Sequence, residues 1–163
     1  MSVPTFNAPE FEAFYARNWK YVCKLCLYYL KSEAEAEDAA EDVFVTVLSR
    51  NIGFNDEIHE RKWLTVSAIN LCKNRLKSRN RRDMRYIDAD LADSVTYSDP
   101  RFGILEAVMD LPEKYKDVIW LYYYEGYRTD EIAALLARPP STVRWQLKYA
   151  RKLLRDIIGG DIY

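Results

Sequence analysis

Two stretches of this chain concentrate positive charge in forms that could hold a polyanion. Residues 61–82 contain eight Lys and Arg and no acid, and Arg138 to Arg155 contains six bases and no acid. The first run is interleaved with Trp63, Asn70 and Asn74. Cations neutralise phosphates, an aromatic ring stacks a base, and amides hydrogen-bond a base edge, which together suit a splayed single strand. Lys62, Trp63, Asn70, Asn74, Arg75 and Lys77 form the candidate single-strand set. In the second run Val143, Leu147, Ala150 and Leu154 recur at i, i+4, i+7 and i+11, the apolar side of a helix. The opposite side shows Thr142, Arg144, Trp145, Lys148, Arg151, Lys152 and Arg155. A slim basic helix of this kind fits the major groove of duplex DNA, its early residues meeting bases and its later cations meeting phosphates. Thr142, Arg144 and Trp145 are expected at bases or sugars, and Lys148, Arg151, Lys152 and Arg155 at the backbone.

Acids are segregated as sharply as bases. Residues 1–60 carry a net −6, residues 61–82 a net +8, residues 83–113 a net −6 and residues 114–163 a net +3. The formal net charge of −1 therefore hides a polyanion binder. Glu35, Asp38, Glu41 and Asp42 share the solvated face of one expected helix. Cys23-x-x-Cys26 with Cys72 and His59 has the ligand types of a zinc site. However, Cys23 and Cys26 lie in a continuous amphipathic pattern, where thiols commonly pack as small hydrophobes. With one histidine and no nucleophile–base pair or glycine-rich phosphate loop, the sequence calls for no enzyme activity, cofactor or metal.

The elements that position these residues are helices. Residues 10–30 place Phe11, Phe14, Tyr15, Val22, Leu25 and Tyr29 on one face. A second helix over 33–50 is expected to bury Ala36, Ala40, Val43, Phe44, Val47 and Leu48. A loop over 51–56 follows, and a third helix over 60–82 turns Leu64, Ala68, Leu71 and Cys72 inward. Residues 83–103, rich in Asp and containing Asp99-Pro100, have the character of a flexible acidic linker. Beyond it a short helix starts at Ile104. The next has Pro112 suited to its first turn, turns Tyr115, Val118, Ile119, Leu121 and Tyr122 inward, and ends at Gly126. Thr129 is placed as N-cap of a short helix carrying Ile132, Ala133, Leu135 and Leu136. Residues 137–140 break it, and the basic helix runs over 141–158. The expected fold is all-α: a helical bundle over 7–82, the linker over 83–103 and a helix-turn-helix domain over 104–160. No apolar run reaches the roughly 18 residues of a membrane span, so no membrane insertion is expected. No signal peptide is visible, three cysteines argue against a disulfide scaffold, and a cytoplasmic protein is expected.

The residues in this order resemble a known family. Glu37-Asp38-Ala39-Ala40-Glu41-Asp42-Val43-Phe44 is similar to the Ala-Glu-Asp-x-x-Gln-Glu-x-Phe segment of bacterial sigma factors of the extracytoplasmic-function (ECF) group, within the sigma-70 family. Residues 63–70, Trp-Leu-Thr-Val-Ser-Ala-Ile-Asn, are similar to the Trp-Leu-x-x-Ile-Ala-x-Asn segment of those proteins. Leu111-Pro112-Glu113, Tyr123-Tyr124-Glu125-Gly126, Glu131-Ile132-Ala133 and Thr142-Val143-Arg144 match their C-terminal domain. The resemblance implies a transcription initiation factor that brings RNA polymerase core enzyme to promoter DNA. Asp38, Glu41 and Asp42 would dock on the polymerase clamp. The third helix and its preceding loop would open and hold the −10 element, and the helix-turn-helix would read the −35 element as duplex. It leaves an anti-sigma factor open as a further partner. The alternative is a helix-turn-helix regulator that binds DNA without polymerase. The chain departs from the pattern at Glu41 (usually Gln), at Ala137 (often Gly) and at Trp145 (usually small).

Overall fold

In the computed structural model, which describes residues 6–83 and 107–158, every regular element is helical. The linker expected over 83–103 and the helix start at Ile104 lie outside the described residues, Asp83 excepted. The chain divides into two compact units, Met1–Arg81 and Arg82–Tyr163.

In the first unit α1 spans Ala8–Leu30, α2 Glu33–Ser49 and α3 Glu57–Asp83. α1 begins earlier than its apolar pattern because Asn7 caps it. The Asn7 side chain accepts from the Glu10 N–H (2.9 Å), and the Glu10 carboxylate accepts from the Asn7 N–H (3.0 Å). α3 likewise starts before Glu60, since the Asp56 carboxylate accepts from the His59 N–H (2.8 Å). It also continues through Asp83, one residue into the expected linker. Phe14, Val22, Leu25 and Tyr29 of α1 pack with Ala36, Ala40, Val43, Phe44 and Val47 of α2 and Leu64, Ala68 and Cys72 of α3 to form the core. Leu48 does not join it. The α2 seam runs through Ala39 and Ala40 to Val47, and Leu48 turns past it to stand 56% exposed.

In the second unit a helical turn at 107–109 precedes α4 (Glu113–Ile119), which runs straight into a π-helical turn, Trp120–Tyr124. The wider turn re-aims the tyrosines. Leu121 stays buried, whereas Tyr122, expected inward, is half-exposed, and Trp120 stacks on Tyr124 at 4.1 Å. Gly126, at φ +76°, ends the run in the left-handed region. α5 spans Thr129–Leu136 and α6 Pro140–Ile158. Thr129 is not the N-cap: Arg128 occupies that position, and Glu131 Oε1 accepts its N–H (3.1 Å). Pro140 opens α6, where a missing N–H costs nothing.

Ala137, between α5 and α6, sits at φ +54°. An L-residue there loses about 1–2 kcal/mol, more than glycine's extra chain entropy of about 0.5–1 kcal/mol. Ala137→Gly should therefore stabilise the second unit by several tenths of a kcal/mol, seen as a raised denaturant midpoint with unchanged m-value.

Candidate nucleic-acid interface

α3 is fastened to α1 by polar contacts that the apolar pattern does not announce. Glu60, almost wholly buried, accepts from Arg17 Nε (2.9 Å) and Nη2 (2.6 Å) and from Asn18 Nδ2 (2.6 Å). Its hydrogen bond holds the Arg17 guanidinium pKa above its ordinary value. One turn on, the Tyr21 hydroxyl meets Thr65 Oγ1 at 2.6 Å, and Arg61 lies over the Tyr21 ring. Two of these groups carry a sequence signal: Asn18 is four residues from both Phe14 and Val22, and Glu60 four before Leu64. A polar residue on a core stripe requires a partner.

This anchoring fixes what α3 shows to solvent. At 3.6 residues per turn, Trp63, Asn70, Asn74 and Lys77 fall within ~60° of one another around the helix. Asn70, Asn74 and Lys77 are exposed and Trp63 is half-buried. The Trp63 ring rests on Phe54 (5.6 Å), which stacks on Phe14 in the core (5.7 Å). The ring is thus supported from inside and only partly open to solvent. Lys62, half-buried, flanks the stripe.

Arg75 is not with them. It lies roughly 130° round α3 from the stripe, turned toward α2, where it pairs with Asp38 (2.8 Å) and with Asp42. Arg79 pairs with Glu35 in the same seam. Three of the acids read as one solvated face therefore meet cations of α3. The signal was present: Arg75 follows Cys72 by three residues and Ala68 by seven, the spacing of the inward side. Asp38 and Asp42 keep more than half of their side-chain surface accessible. Glu41 is exposed, and Val45 and Leu48 stand beyond it on the same helix.

In the second unit Arg138, counted with the basic zone by charge alone, is spent inside the fold. Its Nη2 binds Asp117 Oδ2 (2.5 Å), and its Nη1 donates to Gln146 Oε1 (3.0 Å) and to the Lys114 carbonyl (3.2 Å). Asp117 has no exposed surface. One guanidinium thereby joins α4, the turn and α6, and sets how α6 stands. On α6, Arg144, Trp145, Lys148, Lys152 and Arg155 are exposed and Thr142 is half-exposed. Arg151 is half-buried, with its Nε donating to the Tyr123 hydroxyl (2.5 Å) and its guanidinium between the Tyr122 and Tyr123 rings. It is held on the π-turn rather than extended with the other cations.

The cysteines and His59 do not converge. Cys26 and Cys72 are buried together, and their mutual hydrogen bond, then burial, pushes the Cys26 thiol pKa up. Burial also pushes Cys23 up to about 11. His59 is exposed at the start of α3, accepting from the Asn55 N–H (3.2 Å), and lies thirteen residues along the helix from Cys72, roughly 20 Å. Among the described residues no group of three potential ligands could hold a metal ion. Nor is any described helix long and apolar enough to cross a membrane.

Comparison with known proteins covers both units. The family model for sigma-70 region 2 matches residues 14–82, and that for sigma-70 region 4 matches residues 101–154. The ECF RNA polymerase sigma factor SigW of Bacillus subtilis is 27% identical over 82% of this chain and 81% of its own length. SigK of Mycolicibacterium vanbaalenii is 25% identical over 94% and 84%. The probable sigma factor RfaY of Xanthomonas campestris is 27% identical over 83% of this chain, which spans only 37% of that protein. Among solved structures, the sigma factor RpoE bound to the anti-sigma factor NepR, from Bartonella quintana, superposes with a TM-score of 0.66 at 16% identity, over 95% of this chain and all of that one. CnrH bound to the cytosolic domain of CnrY gives 0.64 at 19%, over 96% and 92%. At such identities these two likenesses speak for the fold.

Proposed function

The chain belongs to the sigma-70 family as an ECF-type sigma factor, and from that premise we propose that it directs RNA polymerase core enzyme to specific promoters and opens the DNA there. One observation carries this reading. The region 2 match runs from within α1 through α2 and nearly to the end of α3, the region 4 match takes in α4, α5 and most of α6, and both occur in order in one chain. A regulator that only binds duplex has use for the second unit alone.

The work divides among three surfaces. The outward face of α2, with Asp38, Glu41 and Asp42 and the exposed Val45 and Leu48, docks on core polymerase. The α3 stripe of Trp63, Asn70, Asn74 and Lys77, flanked by Lys62, holds the melted −10 strand. α6 reads the −35 duplex through Thr142, Arg144 and Trp145, with Lys148, Lys152 and Arg155 on phosphates. Arg75 supports the docking face instead of the melted strand, and Arg151 braces α6. The protein acts by recognition rather than catalysis, in the cytoplasm with the polymerase. The anti-sigma complexes of its structural neighbours support a search for such a partner here.

Run-off transcription with core polymerase on genomic fragments tests the proposal. Discrete transcripts that require this chain are expected, and none would refute it. On a promoter so found, Arg144→Ala should relax discrimination at one −35 base pair, whereas Lys152→Ala should weaken binding evenly across sequences. A base contact is worth roughly 1–3 kcal/mol against the wrong base, while a phosphate contact carries no sequence information. Competition with single-base variants separates the two.

A further inference from the structure

Trp145 stands 54% exposed at the centre of the outward face of α6. The ring is not loose. It lies parallel to the Tyr149 ring, with centroids 5.2 Å apart and planes 6° apart. Tyr149 in turn packs 5.4 Å from Tyr115, which is buried in α4 and reaches to 6.4 Å from Trp145 itself. Three aromatic rings thus run from the core of the unit to its surface and end in an indole with a face toward solvent.

A rigid exposed indole offers an apolar surface to whatever α6 meets, since it accepts no hydrogen bond and donates only one. Its neighbours on α6 specify the partner's charge: Arg144, Lys148 and Lys152 are exposed around it, and no acid occurs between Arg138 and Arg155. Such a surface suits an anion that offers an apolar feature at the depth of a helix face. In the major groove that feature is the C5-methyl of thymine. We infer that Trp145 determines promoter specificity by contacting a thymine methyl in the −35 duplex, with Tyr149 and Tyr115 as positioning residues that hold the indole. This rests on the reading that α6 enters the major groove, and it deepens that reading by naming the chemical group read.

Uracil in place of thymine tests it, because pairing is kept and only the methyl is lost. Holoenzyme containing the full chain is bound to a promoter found by run-off, with each −35 thymine replaced in turn. At one or two positions uracil should lower affinity roughly fourfold, the worth of burying one CH2-sized group. Trp145→Ala holoenzyme should bind the thymine promoter correspondingly less well and no longer distinguish uracil. Trp145→Phe should keep part of the discrimination. Tyr149→Ala should lose discrimination while retaining most binding, and Tyr149→Phe, which keeps the stack, should restore it. The inference is overturned if no thymine is sensitive, or if discrimination survives in Trp145→Ala. It is overturned equally if Trp145→Ala loses core polymerase instead of DNA, which would assign the ring to a protein surface. Failure of the major-groove reading looks different: wild-type holoenzyme would then show no preference for any −35 base, methylated or not, and the inference would fall with it.

Discussion

Asp117→Ala should cost about 3–5 kcal/mol and unfold the second unit while leaving the first intact. Asp117 has no exposed surface and faces Arg138, itself mostly buried. Removing one partner of a buried pair strands the other charge, and the penalty is that of an uncompensated buried cation. Arg138 cannot move to water without also dropping Gln146 and the Lys114 carbonyl, so α4, the turn and α6 lose their common tie. A unit of this size has little stability in reserve. Amide hydrogen exchange reports on each unit separately: protection over 113–155 should fall, and protection over α1 to α3 should stay. A paired replacement, Asp117→Leu with Arg138→Met, removes both charges and should recover much of the loss. A single Asp117→Ala within 1 kcal/mol of wild type would show that the pair does not hold the unit together.

Arg138 also shows where reading the sequence ends. Periodicity marks α1 to α3 and α6 because each has one apolar stripe, and in α3 that stripe alone phases Trp63, Asn70, Asn74 and Lys77 outward. The same phasing places Arg75 inward, toward Asp38 and Asp42, although the charge run groups it with the outward bases. Charge runs count residues, whereas direction around the helix decides what each one meets. Arg79 and Arg151 follow the same rule. Asp117 is different, since α4 is buried on nearly every side and a helix without a solvent stripe gives no phase to read. The π-helical turn at Trp120–Tyr124 had no signal either, because one extra residue per turn alters no composition. The early start of α3 was legible in principle through Asp56 as a cap, though the apolar pattern begins only later.

The docking face gives the second large effect, and the structure changes how it must be tested. Reversing Asp38 and Asp42 to Lys should weaken core polymerase binding by at least about 100-fold, because like charges facing across an interface cost several kcal/mol. The same change also sets two lysines against Arg75, so the fold could be blamed. Exposed pairs of this kind are worth roughly 0.2–1 kcal/mol, which limits that contribution. Adding Arg75→Glu removes the objection: Asp38→Lys, Asp42→Lys with Arg75→Glu restores attraction between α2 and α3 while leaving the outward charge reversed. This triple variant should unfold like wild type and still fail to capture core enzyme in a pull-down. Trp63→Ala with Asn70→Ala should do the reverse, binding core normally and failing at promoter opening, since each lost stack on a base removes roughly 1–3 kcal/mol. Permanganate reactivity of unpaired thymines reads that step. Arg75→Ala alone separates the two assignments of that residue: it should leave strand opening unchanged once core is bound, where Lys77→Ala weakens it. If the triple variant captures core enzyme as well as wild type does, the acids of α2 are not the docking face.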